Sequence, residues 1–162
     1  MLNSRGAVTL AAMACVFCEL MDNGDARWVA REPSAMAFLP LSGAELAPGH
    51  TLVMPRRHAV SLLDADEGVV TATAGLVRRV SRAMITALDA TGVVVLNASG
   101  PGSGQTVPHL HFHVVPRWDD EEETLPWLRQ RSTHKLAGPA ERLLAASLIQ
   151  PGGCSSPCHF NV

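Results

Sequence analysis

The chain has 162 residues, of which 47% are hydrophobic and 17% are charged. This is the composition of one globular domain with a real core, and it excludes a mostly disordered chain. The formal net charge of −2 excludes a general electrostatic attraction to nucleic acid or to an anionic membrane. We therefore expect neither of these partners, and a phosphate ligand would have to be held by a local site.

The cysteines form two close pairs, Cys15/Cys18 and Cys154/Cys158. Sparse, close pairs are typical of metal ligands or of free thiols in a reducing compartment, not of the disulfide framework of a small secreted domain. The apolar stretch 7–17 is similar to a weak signal peptide, but it is too short to span a bilayer, and cleavage at Cys15 would destroy a metal site there. We therefore interpret the protein as cytoplasmic, with Cys154 and Cys158 as free thiols.

The predicted domain covers residues 13–150. We interpret residues 1–12 as an N-terminal tail. Residues 151–162 are interpreted as a C-terminal tail because they contain little that could form a core.

Three short strands are predicted in the first part of the domain. Residues 27–31 and 35–39 favour strands that are separated by the turn sequence Glu32-Pro33-Ser34. Residues 50–54 favour a third strand, which follows a turn at Pro48-Gly49.

A long helix follows these strands, because apolar residues recur at helical spacing up to about Asp89. Asp64 or Asp66 is in position to cap its N-terminus. The buried face is predicted to consist of Val69, Leu76, Val80, Met84 and Leu88.

The last part of the domain predicts two strands and a short helix. The strands are residues 93–96 and 109–115, a Gly/Ser/Pro loop at 99–104 lies between them, and the helix covers 139–148. The chain thus has strands, one long helix, more strands and a short C-terminal helix. This order predicts an α+β fold with an antiparallel five-stranded sheet.

The last predicted strand carries three histidines at alternate positions, His109, His111 and His113, which places them on one face. A row of imidazoles costs stability unless the rings are solvated, hydrogen-bonded or metal-bound, and histidine changes its charge near neutral pH. Gln105 and Thr106, just before the strand, supply donors that suit a phosphate. A surface strand or a plain metal site is the alternative interpretation. The opposite face would carry Leu110, Phe112 and Val114.

The segment 104–117, Gly-Gln-Thr-Val-Pro-His-Leu-His-Phe-His-Val-Val-Pro-Arg, resembles the signature of the histidine triad (HIT) superfamily of nucleotide hydrolases and transferases. Residues 37–39 and 48–58 resemble the family's second and third strands. Cys15-Val16-Phe17-Cys18-Glu19 resembles the start of its zinc-containing bacterial branch. The resemblance covers residues 15–117.

The resemblance implies that His111 attacks the α-phosphate of a nucleotide conjugate, such as a dinucleoside polyphosphate or a nucleoside phosphoramidate. A nucleotidyl-histidine intermediate forms, and water then releases a nucleoside monophosphate. By the same resemblance, His113, Gln105 and Thr106 contact the phosphate and Asn97 lies near it. The nucleophile needs one unprotonated nitrogen, so the other nitrogen of His111 should donate to a backbone carbonyl in the strand.

The resemblance also implies a structural zinc ion bound by Cys15, Cys18, His58 and His109. Two thiolates and two imidazoles would close a tetrahedral site. A C-x-x-C pair by itself is ambiguous, because a redox pair has the same spacing. The family usually forms a homodimer, which we expect here through residues 67–96, with one ten-stranded sheet across the dimer.

One segment departs from the family pattern. The family commonly has Asp or Asn after its second strand to bind the ribose, whereas counting along this chain places Pro40 or Ser42 there. Two alternatives to a nucleotidyl hydrolase stay open. These are a zinc-stabilised module that binds a nucleotide or protein without turnover, and a hydrolase in which the histidines hold a catalytic metal.

Overall fold

The computed structural model describes residues 15–119 and 135–149. The elements within these ranges are α1 (Val16–Asn23), β1 (Trp28–Arg31), β2 (Ala35–Phe38), β3 (Thr51–Pro55), α2 (Glu67–Ala87), β4 (Gly92–Leu96), a 3₁₀ helix (Pro101–Ser103), β5 (Phe112–Arg117) and α3 (Ala140–Ile149). The predicted tails, and with them Cys154 and Cys158, lie outside the described residues. Among the helices described, none is long and apolar enough to cross a membrane.

The strands form one sheet in the order β1-β2-β3-β5-β4, and all neighbouring pairs are antiparallel. The predicted turn between β1 and β2 is closed where Glu32 N–H donates to the Ala35 carbonyl over 3.0 Å. β2 and β3 are buried along their whole length, because both of their faces are covered. The prediction of an α+β fold with an antiparallel five-stranded sheet is confirmed.

The two faces of the sheet carry separate apolar clusters, because side chains alternate along each strand. α2 and α3 cover one face, and α1 covers part of the other. Of the residues predicted for the buried face of α2, Leu76, Val80, Met84 and Leu88 are buried and Val69 is half-buried. The second cluster contains Cys15, Phe17, Met21, Met36, Phe38, Leu52 and Met54.

The helix α1 was not predicted from the sequence, where the C-x-x-C segment was interpreted as a pair of metal ligands or a redox pair. Phe17 and Met21, four residues apart, are buried on one side of it. It ends at Gly24, whose φ of 75° is the left-handed conformation that suits glycine at a helix C-terminus. The spacing of the two apolar residues and the glycine were the available signals.

The strand β5 begins at Phe112, so the prediction of a strand from His109 was wrong at its start. The ladder between β3 and β5 begins with Val53 opposite Phe112. Before that point Leu110 N–H donates instead to the Ala59 carbonyl, over 2.7 Å. The segment that contains His109 is therefore held by the loop after β3 and not by the sheet.

The turn before β3 contains Gly49 and places His50 directly before the strand. Gly49 has a φ of 90°, and a Cβ there would lie 2.6 Å from Leu88 Cδ1. Both observations require glycine at this position. Thr51 follows, with its hydroxyl donating to the Gly49 carbonyl over 2.8 Å.

Candidate functional site

The rings of His111 and His113 lie side by side at the start of β5. Their centroids are 5.1 Å apart. His113 is opposite Leu52 in the sheet, and Leu52 belongs to the cluster under α1. The two imidazoles therefore lie on the sheet face that α2 does not cover.

The His111 side chain is buried, and its tautomer follows from one hydrogen bond. Its Nδ1 lies 2.7 Å from the backbone carbonyl of His109. A carbonyl can only accept, so Nδ1 carries the proton and Nε2 keeps its lone pair. This is the backbone hydrogen bond that a nucleophilic imidazole requires.

His50 fixes the tautomer of His113 by a chain of hydrogen bonds. Leu46 N–H donates to His50 Nδ1 over 3.1 Å, so the His50 proton must be on Nε2. That Nε2 lies 2.9 Å from His113 Nδ1 and donates to it. The proton of His113 is therefore on its own Nε2, which makes this atom a donor.

Burial keeps the rings of His50 and His113 neutral at physiological pH. Burial, together with the neighbouring His113, lowers the pKa of His50 to about 3. Burial and the nearby His111 lower the pKa of His113 to about 4. His50 was not among the residues predicted for the site. His50 lies two residues before Leu52, which pairs with His113, so the alternation of side chains places its ring on the same face as His113.

The low pKa of His50 predicts that acid destabilises the fold. The unfolded chain takes up the proton near pH 6.5, whereas the folded ring resists it until about pH 3. Stability is thus complete above pH 6.5 and falls as the pH drops below it. We expect His50 to contribute roughly 2 kcal/mol to the loss of stability that urea unfolding shows at pH 5 relative to pH 7.5. The loss should be smaller in His50→Gln, and an equal loss in both proteins would contradict the assignment.

Asn97 holds the backbone at His111 by a side-chain hydrogen bond. Its Nδ2 donates to the His111 carbonyl over 2.8 Å, and its Oδ1 accepts from the Ser99 hydroxyl over 2.7 Å. The amide thus fixes the backbone that carries His111. Its contact with a phosphate, expected from the resemblance, stays a prediction.

The side-chain amide of Gln105 forms hydrogen bonds to three backbone groups of the surrounding loops. Its Oε1 accepts from Gly100 N–H over 3.0 Å, and its Nε2 donates to the Val60 and Val107 carbonyls over 2.6 and 2.8 Å. Both amide hydrogens are therefore used within the protein. Thr106 beside it is exposed.

Four side chains predicted to bind zinc converge beside the histidines. One ligand atom from each of Cys15, Cys18, His58 and His109 lies within 4.8 Å of all the others. Both cysteines are free thiols. The residues come from the start of α1, from the loop after β3 and from the segment before β5, so the cluster ties three parts of the chain together.

The distances fit a tetrahedral zinc ion. Zn–S and Zn–N bonds of ordinary length at a tetrahedral angle place sulfur and nitrogen about 3.6 Å apart. His109 Nδ1 lies 3.4 Å from Cys15 Sγ and 3.6 Å from Cys18 Sγ, and His58 Nδ1 lies 3.4 Å from Cys18 Sγ. A complete set of four protein ligands is typical of structural zinc.

The second nitrogen of His109 is also accounted for. Its Nε2 lies 3.0 Å from the Pro55 carbonyl and donates to it, which leaves Nδ1 unprotonated and aimed at the thiols. Burial and the neighbouring Cys15 raise the pKa of the Cys18 thiol to about 11. A divalent cation supplies the positive charge that holds two thiolates together.

The loop after β2 holds the two candidates for ribose contact. Pro40 is buried, and its carbonyl accepts from Arg27 over 2.6 Å, whereas Ser42 is exposed. The carboxylate in this loop belongs to Glu45, which accepts from Arg27 over 3.0 Å and from Gly43 N–H over 2.6 Å. Neither Pro40 nor Ser42 therefore supplies an acidic side chain at the position where the family usually binds the ribose.

Residues 23–120 match the HIT domain family. An uncharacterised HIT-like protein of Saccharolobus solfataricus is 35% identical over 112 residues, which are 68% of this chain and 79% of the relative. The adenylylsulfatase HINT3 of Arabidopsis thaliana is 28% identical over 146 residues, 88% of this chain and 71% of that protein. The adenosine 5′-monophosphoramidase hnt1 of Schizosaccharomyces pombe is 29% identical over 109 residues, which are 67% of this chain and 78% of that protein.

A crystal structure of a zinc-bound histidine triad protein from Mycobacterium smegmatis has the same fold. It superposes with a TM-score of 0.71 at 30% identity, over 84% of this chain and 94% of that one. The family match covers the histidine segment, the long helix and all five strands. The chain belongs to the histidine triad (HIT) family.

Proposed function

We propose that this protein is a nucleotidyl hydrolase or transferase that uses His111 as its nucleophile on the α-phosphorus of a nucleotide conjugate. The observation that carries the proposal is the hydrogen bond from His111 Nδ1 to the His109 carbonyl, which leaves Nε2 free to attack. The relatives named as adenylylsulfatase and adenosine 5′-monophosphoramidase support an adenylyl conjugate as substrate.

The reaction divides one displacement into two. In the first step His111 Nε2 forms a bond to the α-phosphorus, and the bond from phosphorus to the leaving group breaks with its electron pair. The leaving group takes up a proton as it departs. In the second step water attacks the phosphorus, the N–P bond breaks, and the nucleoside monophosphate leaves while the water proton is released. Each step has a lower barrier than direct attack by water.

His113 is proposed to stabilise the phosphate during both steps. Its Nε2–H is a neutral donor whose orientation is fixed through His50. A donor that is already oriented toward developing charge needs no reorganisation as the reaction proceeds. Thr106 is the second proposed donor, while Asn97 and Gln105 are proposed to hold the surrounding backbone and to reach the phosphate only if their present bonds exchange.

We propose that the four-ligand cluster binds a structural zinc ion. Bound zinc would stabilise the thiolates of Cys15 and Cys18 and so link α1 to the loops at His58 and His109. Because four protein ligands complete the tetrahedron, no position is left for water to act as a metal-bound nucleophile. Thiol ligands persist in a reducing compartment, which supports the cytoplasm as the location.

A panel of adenylyl conjugates tests the proposed function. It contains adenosine 5′-phosphosulfate, adenosine 5′-phosphoramidate and a diadenosine polyphosphate, and the release of AMP is followed by chromatography. We expect AMP from at least one of them. Tight binding of these compounds with no product from any would contradict hydrolysis and support the non-catalytic binding module.

The edge of the sheet at β4 predicts a homodimer. Within the described part of the chain β4 pairs only with β5, it is rich in valine, and Val95 is 45% exposed. Ile85 on the adjacent α2 is 42% exposed. An apolar edge strand is a template for pairing with another strand. We expect a dimer by light scattering at micromolar concentration, and a monomer in the double variant Ile85→Glu, Val95→Lys. A monomeric wild-type mass would contradict this.

A further inference from the structure

Two contacts connect the four-ligand cluster to the ring of His111. The first is the bond from His111 Nδ1 to the carbonyl of His109, which is itself one of the four cluster residues. The second is the ring of Phe17, which lies between Cys15 and Cys18 in the sequence. Each contact begins at the metal cluster and ends on the proposed nucleophile.

The carbonyl contact depends on where His109 is held. The His109 side chain is fully buried, fixed on one side by the Pro55 carbonyl and on the other by the thiols. Its backbone lies outside the β5 ladder, and the peptide group that contains the carbonyl is held instead by the bond from Leu110 N–H to Ala59, the residue after the cluster member His58. If the carbonyl moves away, nothing requires the His111 proton to stay on Nδ1, and the proton can then occupy the nucleophilic Nε2 instead.

The Phe17 ring meets both histidines edge to face. Its centroid lies 5.3 Å from that of His111, with an angle of 88° between the rings, and 6.0 Å from that of His109 at 65°. Aromatic rings favour this geometry, which restricts rotation of the histidine. α1 has only eight residues, too few for a stable helix by itself. The position of Phe17 therefore depends on tertiary contacts, which are the apolar cluster under α1 and whatever holds the two cysteines.

The geometry points to Phe17 and the His109 carbonyl as the positioning groups through which the four-ligand cluster sets the orientation and tautomer of His111. Phe17 is a positioning residue here, because it acts through the histidine. The consequence for turnover rests on the proposed function. The consequence for the ring of His111 does not, since it is a property of the resting protein.

The test compares Phe17→Leu with Phe38→Leu in the metal-loaded, full-length protein. Phe38 is the matched control, because its ring also packs on Phe17, at 5.7 Å, and both residues lie in the same apolar cluster. Metal content and far-ultraviolet circular dichroism verify that both variants are folded and loaded. ¹⁵N-edited NMR of the imidazoles at one fixed pH then reports which nitrogen of His111 carries the proton.

We expect the wild type and Phe38→Leu to keep the proton on Nδ1, and Phe17→Leu to show a mixture of tautomers. In a turnover assay Phe17→Leu should lower kcat by roughly tenfold with KM nearly unchanged. An unchanged His111 signal in Phe17→Leu would overturn the inference whether or not the protein is an enzyme. If the signal changes as expected but no conjugate is hydrolysed, the proposed function fails and the inference stands.

Metal removal provides the second arm. The wild type is treated with a chelator, and its His111 signal is compared before and after reloading with zinc. We expect the Nδ1 proton signal to disappear and then to return. A metal-free protein that stays folded and keeps the signal would overturn the role of the cluster. If the metal-free protein unfolds, the inference is decided by the His111 signal of Phe17→Leu in the metal-loaded protein.

Discussion

Replacement of His111 by alanine should abolish turnover, with kcat lowered by roughly 10⁴-fold or more. In the proposed mechanism His111 contributes the covalent step itself, and direct attack by water on the conjugate has a higher barrier. Binding of the nucleotide should change little, since the phosphate donors of His113 and Thr106 are still present. Steady-state release of AMP and calorimetric titration with AMP measure the two effects separately.

His113→Gln is the matched control for this prediction. Glutamine keeps a donor near the phosphate but loses the fixed orientation that His50 gives, so we expect a smaller loss of kcat, roughly 10²-fold. Circular dichroism and metal content confirm that both variants are folded. Equal rates of AMP release from the wild type and His111→Ala would show that His111 is not the nucleophile.

Removal of the metal should destabilise the domain by about 3 kcal/mol or more, which corresponds to a fall in Tm of about 10 °C. The cluster ties α1 to the sheet. Without the metal ion, the buried His109 loses its bond to the ion, and the cysteines on either side of Phe17 are no longer held. We expect one zinc ion per chain by elemental analysis, and the same fall in Tm after chelation and in Cys15→Ser.

The other two cysteines provide the control for the metal prediction. A double variant, Cys154→Ser with Cys158→Ser, also replaces thiols by hydroxyls but leaves the four proposed ligands intact. We expect it to bind one zinc ion and to unfold at the wild-type temperature. Loss of zinc in this variant, or an unchanged Tm after chelation of the wild type, would contradict the assignment of the ligands.

The sequence was sufficient to predict the strands and the long helix because their signals are local. The turn at residues 32–34 separates β1 from β2, and the apolar spacing of α2 defines its buried face. The cluster of Cys15, Cys18 and His58 with His109 was predicted from the family resemblance, and its residues converge in the structure.

Other features depend on contacts that a sequence pattern does not reveal. The true start of β5 is set by the bond from Leu110 to Ala59, a pairing with a distant loop. The tautomer of His113 is set by His50 and, through it, by the amide of Leu46, which lies far from it in the sequence. Periodicity predicts which residues share a face, but it does not predict which polar atoms meet.

Trapping of the intermediate tests the central claim most directly. The protein is mixed with the best conjugate of the panel and quenched in denaturant at alkaline pH, because N–P bonds hydrolyse in acid. Peptides are then sequenced by mass spectrometry. We expect a nucleotidyl group on His111, absent from His111→Ala and absent without substrate. Turnover with no modified peptide from rapid-quench samples, or a nucleotidyl group on another residue, would contradict the account.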